Sequence, residues 1–140
     1  MHGTLNHLLL TDRVWLGRFA TGTGYTFKAL QNAKLVFELQ SLGQILYADF
    51  IELHHERMET DQVIEKWLGE LEPEMLLANL QYFNSTREIE LKHSLWFGLT
   101  HFFNHQTHHR GQVTTLFSQL GRDYGITDFL AMYNFVKDTI

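Results

Sequence analysis

Hydrophobic side chains recur every three or four positions in three long stretches of this chain, a spacing typical of helices that bury one face. The first stretch runs from about residue 2 to residue 19 and places leucine, tryptophan and phenylalanine on more than one side of the predicted helix. Residues 20–26, ATGTGYT, contain two glycines and three threonines, which predict a turn. We therefore expect a largely buried first helix followed by a short break.

The second stretch, from about Ala33 to Met58, has leucines at steps of three and four. Gly43 weakens this predicted helix by about 1 kcal/mol but is not expected to end it. Thr60-Asp61 either caps a separate helix over residues 62–71 or lies inside one continuous helix. Pro73, the only proline, suits the first turn of a helix, so the chain is expected to restart there.

The last third of the chain changes pattern twice. Residues 79–92 alternate apolar and polar side chains about a polar centre at residues 84–86, which predicts a short β-hairpin. A third helix is predicted from about Ser94 to Leu120, with Gly121 as its C-terminal stop. Residues 122–140 are expected to be irregular, with one short turn at most. The pattern thus predicts an all-α fold, most simply one helix-bundle domain over residues 1–140, carrying a hairpin before its last long helix.

Composition excludes several classes of function. The absence of cysteine rules out disulfides, thiolate metal sites and a cysteine nucleophile. Eleven Lys and Arg against sixteen Asp and Glu give a net charge of −5, which disfavours direct binding of nucleic acid. The N-terminus lacks the pattern of a signal peptide, and no stretch approaches the roughly 20 apolar residues that span a bilayer. We therefore expect a cytoplasmic protein with no membrane partner.

Four of the nine histidines lie between residues 101 and 109 of the third predicted helix. With about 100° of rotation per residue, His109 falls inside the apolar face and His105 at its edge, whereas His101 and His108 fall outside it. Histidines four residues apart on one face suit two neighbouring positions around a divalent metal ion. His105 and His109 are therefore the best candidate pair, although polar helix surface is the simpler interpretation of such a stripe.

A metal site needs at least a third ligand, which the residues alone leave open. His7 stands among leucines of the first helix, where burying an unpaired imidazole is costly, and this favours a buried role. His54 and His55 lie in a charged stretch that is more typical of a solvated helix face. The full set of candidates is the carboxylates together with His2, His7, His54, His55 and His93.

Two segments resemble the DinB/YfiT-like superfamily: HGTLNHLLLTDRVWLGRF at 2–19 and HFFNHQTHHRGQV at 101–113. The resemblance covers essentially the whole chain. It implies a four-helix bundle in which His7, His105 and His109 hold a divalent metal cation, zinc or nickel. Asp12, which falls among apolar residues on the helical wheel, would be a buried hydrogen-bonding group. Gln112, on the histidine stripe, would either orient a ligand or be a polar residue at the bundle edge.

Members of the superfamily usually have about one further helix before the segment that begins here at His2. A bundle without that helix leaves an apolar groove open, which monomers rarely expose. Either the true start lies upstream, or a partner subunit covers the groove. We accordingly expect a homodimer.

Three histidines with an open coordination position are more typical of a catalytic than of a structural metal. The superfamily includes S-transferases that use bacillithiol or mycothiol, so the resemblance implies a metal-dependent thiol transferase or hydrolase with a low-molecular-weight thiol or another small molecule as substrate. No catalytic residue beyond the metal ligands stands out, and Glu88 and Glu90 are better interpreted as a solvated strand face. The alternative is a non-catalytic stress or regulatory protein in which the metal stabilises the fold.

Overall fold

The computed structural model describes residues 1–37 and 39–133. Within them the chain forms three α-helices and one antiparallel hairpin; short 3-10 turns lie at Ala33–Leu35, Pro73–Leu77 and Phe129–Met132. The elements in chain order are α1 His2–Gly22, α2 Phe50–Leu68, β1 Asn79–Asn84, β2 Ile89–Ser94 and α3 Leu95–Gln119. The fold is therefore mainly helical, as predicted, with three α-helices in the described part of the chain where a complete bundle would have four.

Helix α1 is the centre of the fold. It packs against α2, α3 and β1, which explains why its apolar residues are spread around the helix. The helix continues to Gly22, so the turn predicted at residue 20 begins three residues later. Phe19 stacks on Trp67 of α2 with 4.7 Å between ring centroids and meets Phe102 of α3 edge to face at 5.9 Å. These three fully buried rings join all three helices in one core.

The prediction of one helix from Ala33 to Met58 is wrong, because the helix begins only at Phe50. Residues 36, 37 and 39–49 form no helix, and Glu38 lies outside the described residues. The backbone of this segment is hydrogen-bonded to side chains of α1 instead: the Asn6 amide bonds both the N–H and the carbonyl of Tyr47, and His7 donates to the carbonyl of Leu42. These hydrogen bonds use backbone groups that a helix would need for its own hydrogen bonds. The leucine spacing therefore did not mark a buried helix face, and Leu42 is 43% exposed.

Helix α2 instead begins after Asp49, whose carboxylate accepts a hydrogen bond from the backbone N–H of Glu52 at 2.9 Å. It passes through Thr60 and Asp61 without a break, the second of the two alternatives that the sequence allowed. No described helix is long and apolar enough to cross a membrane.

The hairpin and α3 confirm the predictions for the end of the chain. The strands pair Asn79 with Ser94 and Tyr82 with Leu91, and the hairpin packs closely on α3. A Cβ added at Gly98 of α3 would lie 2.8 Å from a methyl group of Leu80, so this glycine permits the close approach. Gly121 has a φ of 64° and follows the end of α3, as a stop signal should. The predicted irregular tail is described only to residue 133; it includes the 3-10 turn Phe129–Met132, and residues 134–140 lie outside the described part.

A layer of buried charge holds α1 against the other two helices. Asp12 is 2% exposed, and its carboxylate accepts hydrogen bonds from Arg57 of α2 at 2.5 Å and from Gln106 of α3. Burial raises the pKa of Asp12, and the charge of Arg57 offsets only part of that rise. The neighbouring Arg13 pairs with Glu56 at 2.5 Å. Burial raises the pKa of Glu56, but hydrogen bonds from Lys34 and Arg13 outweigh that effect and lower it to about 2.

Candidate metal centre

Packing of α1 against α3 brings His7, His105 and His109 together. Their ring centroids lie 5.4 Å apart for His7 and His105, 4.7 Å for His7 and His109, and 4.5 Å for His105 and His109. Each ring offers one nitrogen, and the three nitrogens all lie within 4.8 Å of one another. The three side chains are half-buried. This cluster can hold a metal ion.

A hydrogen bond determines the tautomer of His7. Its Nδ1 lies 2.8 Å from the carbonyl oxygen of Leu42, and a carbonyl only accepts hydrogen bonds. The proton must therefore be on Nδ1, which leaves the lone pair of Nε2 for a ligand. A hydrogen bond from the second ring nitrogen is a common feature of metal-binding histidines.

Gln112 has the same effect on His109. Its side-chain oxygen lies 2.7 Å from His109 Nδ1, and its side-chain nitrogen lies 3.1 Å from His108 Nε2. Because the amide nitrogen donates to His108, the amide oxygen accepts the proton of His109 Nδ1. Gln112 thereby orients the ring of His109 and frees its Nε2. The amide and ring orientations are mutually consistent across the three side chains.

The nitrogens of His105 and His109 are close enough for one metal ion to bind both. His105 Nε2 and His109 Nε2 are 3.1 Å apart. Two nitrogens bound tetrahedrally at about 2.0–2.1 Å would be about 3.3 Å apart, so the pair fits one ion. Burial, and next the neighbouring His109 and His7, lower the pKa of His105 to about 4. His105 is therefore neutral at pH 7, and a neutral imidazole is the form that binds metal.

The other predicted candidates lie away from this cluster or have other partners. Asp12 accepts hydrogen bonds from Arg57 and Gln106 and makes none with a histidine. Because Gln106 follows His105 on α3, Asp12 holds this part of the helix in place without contacting the His105 ring. His101 and His108 are exposed, as the helical wheel predicts. Glu88 and Glu90 are also exposed. The remaining histidines contribute nothing to the cluster: His2, His54, His55 and His93.

A second acidic group lies on α2 but is already neutralised. His55, Glu56 and Glu59 come close enough to hold a cation. Lys34 bonds both glutamates, and Arg13 also bonds Glu56. These ion pairs occupy the carboxylates that a metal would need.

A cavity of about 600 Å³ opens beside the cluster, with His7 and His105 in its wall. The wall also contains three large aromatic side chains, Trp15 of α1, Tyr82 of β1 and Phe97 of α3, beside aliphatic and polar residues. This size and composition are typical of a site for a small molecule. His101 extends the wall, since its ring lies 4.8 Å from Trp15 and 5.9 Å from His105.

Arg18 lines the same cavity but was not among the predicted site residues. A signal for it exists in the sequence: His7, Thr11, Val14 and Arg18 follow steps of four, three and four, which is one face of α1. Arg57 and Gln106 were not predicted either, and their contacts with Asp12 span 45 and 94 positions along the chain. No local pattern signals such contacts.

The sequence model of the DinB family matches residues 1–136. No curated protein matches this chain, and no solved structure does.

Proposed function

We propose that this chain, which belongs to the DinB family, binds one divalent metal ion through His7, His105 and His109 and acts as a metal-dependent enzyme on a small molecule. The observation that carries the proposal is the arrangement of the three rings. Hydrogen bonds at Nδ1 place the lone pair of His7 and of His109 on Nε2, and the neutral His105 completes the set. Zinc and nickel both accept such an all-imidazole donor set.

A bound metal would supply Lewis acidity, which lowers the pKa of a water or thiol and makes it a nucleophile at neutral pH. The chain's own groups supply position and surroundings. Leu42 and Gln112 hold two of the rings, and the adjacent cavity leaves room for a substrate beside them. The chemistry that we propose is either the transfer of a group to a low-molecular-weight thiol or hydrolysis by water.

The alternative is a metal that stabilises the fold of a non-catalytic stress or regulatory protein. It is favoured by one observation: the cluster bridges α1 and α3, so an ion there would join two helices that are far apart in sequence. The two functions differ in access to the ion. A structural site has four protein ligands, whereas three histidines beside a cavity leave a position for an exogenous molecule.

The first test is the metal content of protein purified without a His-tag or metal column. We expect about one zinc or nickel ion per chain by elemental mass spectrometry. After exchange to cobalt, a small thiol should change the visible spectrum if the site is open. An unchanged spectrum favours the structural role, and absence of metal after dialysis against zinc and nickel contradicts both.

We also propose that the chain forms a homodimer. Large apolar side chains are exposed on the outer faces of α2 and α3, including Ile51, Met58, Trp96 and Phe103. Such side chains favour association. Light scattering at micromolar concentration should give twice the 16.5 kDa mass of the chain. A monomer that unfolds cooperatively would contradict the dimer.

A further inference from the structure

The cavity beside the histidine cluster is positively charged in a protein that is negatively charged overall. The chain has a net charge of −5, yet none of the described residues that line this cavity is aspartate or glutamate. Arg18 and Arg87 both line it, together with four histidines. A cationic cavity wall in an acidic protein attracts an anionic ligand.

Arg18 differs from the other buried arginines in its partners. Arg13 pairs with Glu56, and Arg57 pairs with Asp12. Arg18 is half-buried and forms no ion pair with any carboxylate of the described residues. Burial lowers its pKa on balance, and the only opposing influence is Tyr82. The guanidinium is thus partly desolvated, and no acidic group of the described chain compensates for it.

Aromatic rings hold the Arg18 guanidinium in place. Its central carbon lies 4.7 Å from the ring centroid of Trp15 and 4.3 Å from that of Tyr82. Both contacts are close enough for cation–π attraction. Among the described residues, no oxygen accepts a hydrogen bond from this guanidinium, so its N–H donors are available to a ligand, in the fork that matches the two oxygens of a carboxylate or phosphate.

Arg18 and the histidine cluster lie at opposite ends of the cavity. It lies eleven residues after His7 on the same face of α1, about 16 Å along the helix axis. Trp15 and His101 lie between them, since Trp15 contacts both Arg18 and His101, and His101 contacts His105. The cavity therefore runs from the histidine cluster, past aromatic walls, to a fixed cation.

We propose that the substrate of this site carries an oxyanion, a carboxylate or a phosphate, which Arg18 binds at the end of the molecule remote from the group that reacts at the histidines. The middle of the substrate is apolar and lies against Trp15 and Tyr82. This proposal rests on the proposed function, since the metal holds the other end. Arg18 is a specificity-determining residue, and the span between the two anchors selects long substrates over short ones.

The test compares thiols of two lengths, each with and without a terminal charge. Isothermal calorimetry on the metal-loaded protein would use 8-mercaptooctanoate against 8-mercaptooctanol, and 3-mercaptopropanoate against 3-mercaptopropanol. We expect the long acid to bind about tenfold or more tightly than the long alcohol, and the short pair to bind equally. An 8-mercaptooctyl phosphate then shows which oxyanion binds better.

Arg18→Gln should abolish the preference for the long acid while leaving metal content unchanged. Arg110→Gln, which removes the same charge from an exposed position of α3, should keep the preference. Equal binding of the long acid and alcohol by the unmodified protein, or a preference that survives Arg18→Gln, overturns the proposal.

If the protein binds no metal, the proposed function is contradicted, but anion binding by Arg18 can still be tested. In that case octanoate and octanol are compared on the metal-free protein. An Arg18-dependent preference for octanoate would support the anion site on its own, and its absence would overturn it.

Discussion

His109→Ala is expected to weaken metal affinity by more than about 100-fold, so that the purified protein contains almost no metal. Groups that only hydrogen-bond to a metal ligand are worth about 10–100-fold in affinity, and a direct ligand is worth more. His105→Ala and His7→Ala should have equally large effects, because removing any one of three ligands leaves only two. The measurement is competition for zinc against a chelator of known affinity.

His108→Ala is the matched control for this experiment. His108 is the neighbouring residue on α3 and is exposed, and its ring contacts the amide of Gln112 rather than the other histidines' Nε2 atoms. It should keep nearly full metal content. The metal affinity of Gln112→Ala should lie between those of His109→Ala and His108→Ala. We expect it to be about tenfold weaker than that of the unmodified protein, because the ring of His109 loses its hydrogen-bond partner. Full metal stoichiometry in a folded His109→Ala protein would remove the three-histidine site.

Arg57→Met should lower the free energy of unfolding at pH 7 by about 3 kcal/mol, measured by urea denaturation. Asp12 is 2% exposed, and Arg57 is the cation that pairs with it. Removing one member of a buried ion pair leaves an uncompensated charge, which typically costs about 3–5 kcal/mol. The lower end applies here because Gln106 still donates to Asp12 and because Arg57 is 25% exposed.

The loss of unfolding free energy in Arg57→Met should depend on pH, in a direction that the burial of Asp12 determines. Burial raises the pKa of Asp12 above 3.8 in the folded protein, so its carboxyl binds a proton more readily when folded than when unfolded. Its contribution to stability therefore falls as the pH rises from 3.8 through the folded pKa. Loss of Arg57 raises that pKa further. The stability difference between Arg57→Met and the unmodified protein should then shrink on acidification towards pH 4.

Asp61→Asn serves as the control for Arg57→Met, because it removes the other ion pair of the same arginine. Asp61 is 57% exposed, and an exposed pair of this kind contributes about 0.5 kcal/mol or less. Two results would show that the buried carboxylate of Asp12 does not cause the destabilisation of Arg57→Met. One is a similar loss of stability in Asp61→Asn. The other is a stability difference between Arg57→Met and the unmodified protein that stays constant between pH 7 and pH 4.

The local spacing of side chains was enough to predict α1, the hairpin and α3, and to select His105 and His109 as a pair. Each of these predictions depends on the repeat of side chains within a single helix or strand. That repeat is set by the local backbone geometry and not by the rest of the fold. The same reasoning was wrong for residues 36, 37 and 39–49. There the hydrophobic spacing is helical, but Asn6 and His7 bond the backbone at Tyr47 and Leu42, 41 and 35 positions away.

What the sequence alone determined is therefore the mainly helical class, the ends of the hairpin and of α3, the acidic charge and two of the three clustered histidines. The residues left the third partner open, and only the resemblance to a family singled out His7; its contact with the other two depends on how α1 packs on α3. Tertiary structure also decided which arginines are paired: Asp12 takes Arg57, Glu56 takes Arg13, and Arg18 lies against two aromatic rings. Helical periodicity is a local property of the backbone, whereas the pairing of charges and the shape of a cavity depend on residues that only packing brings together.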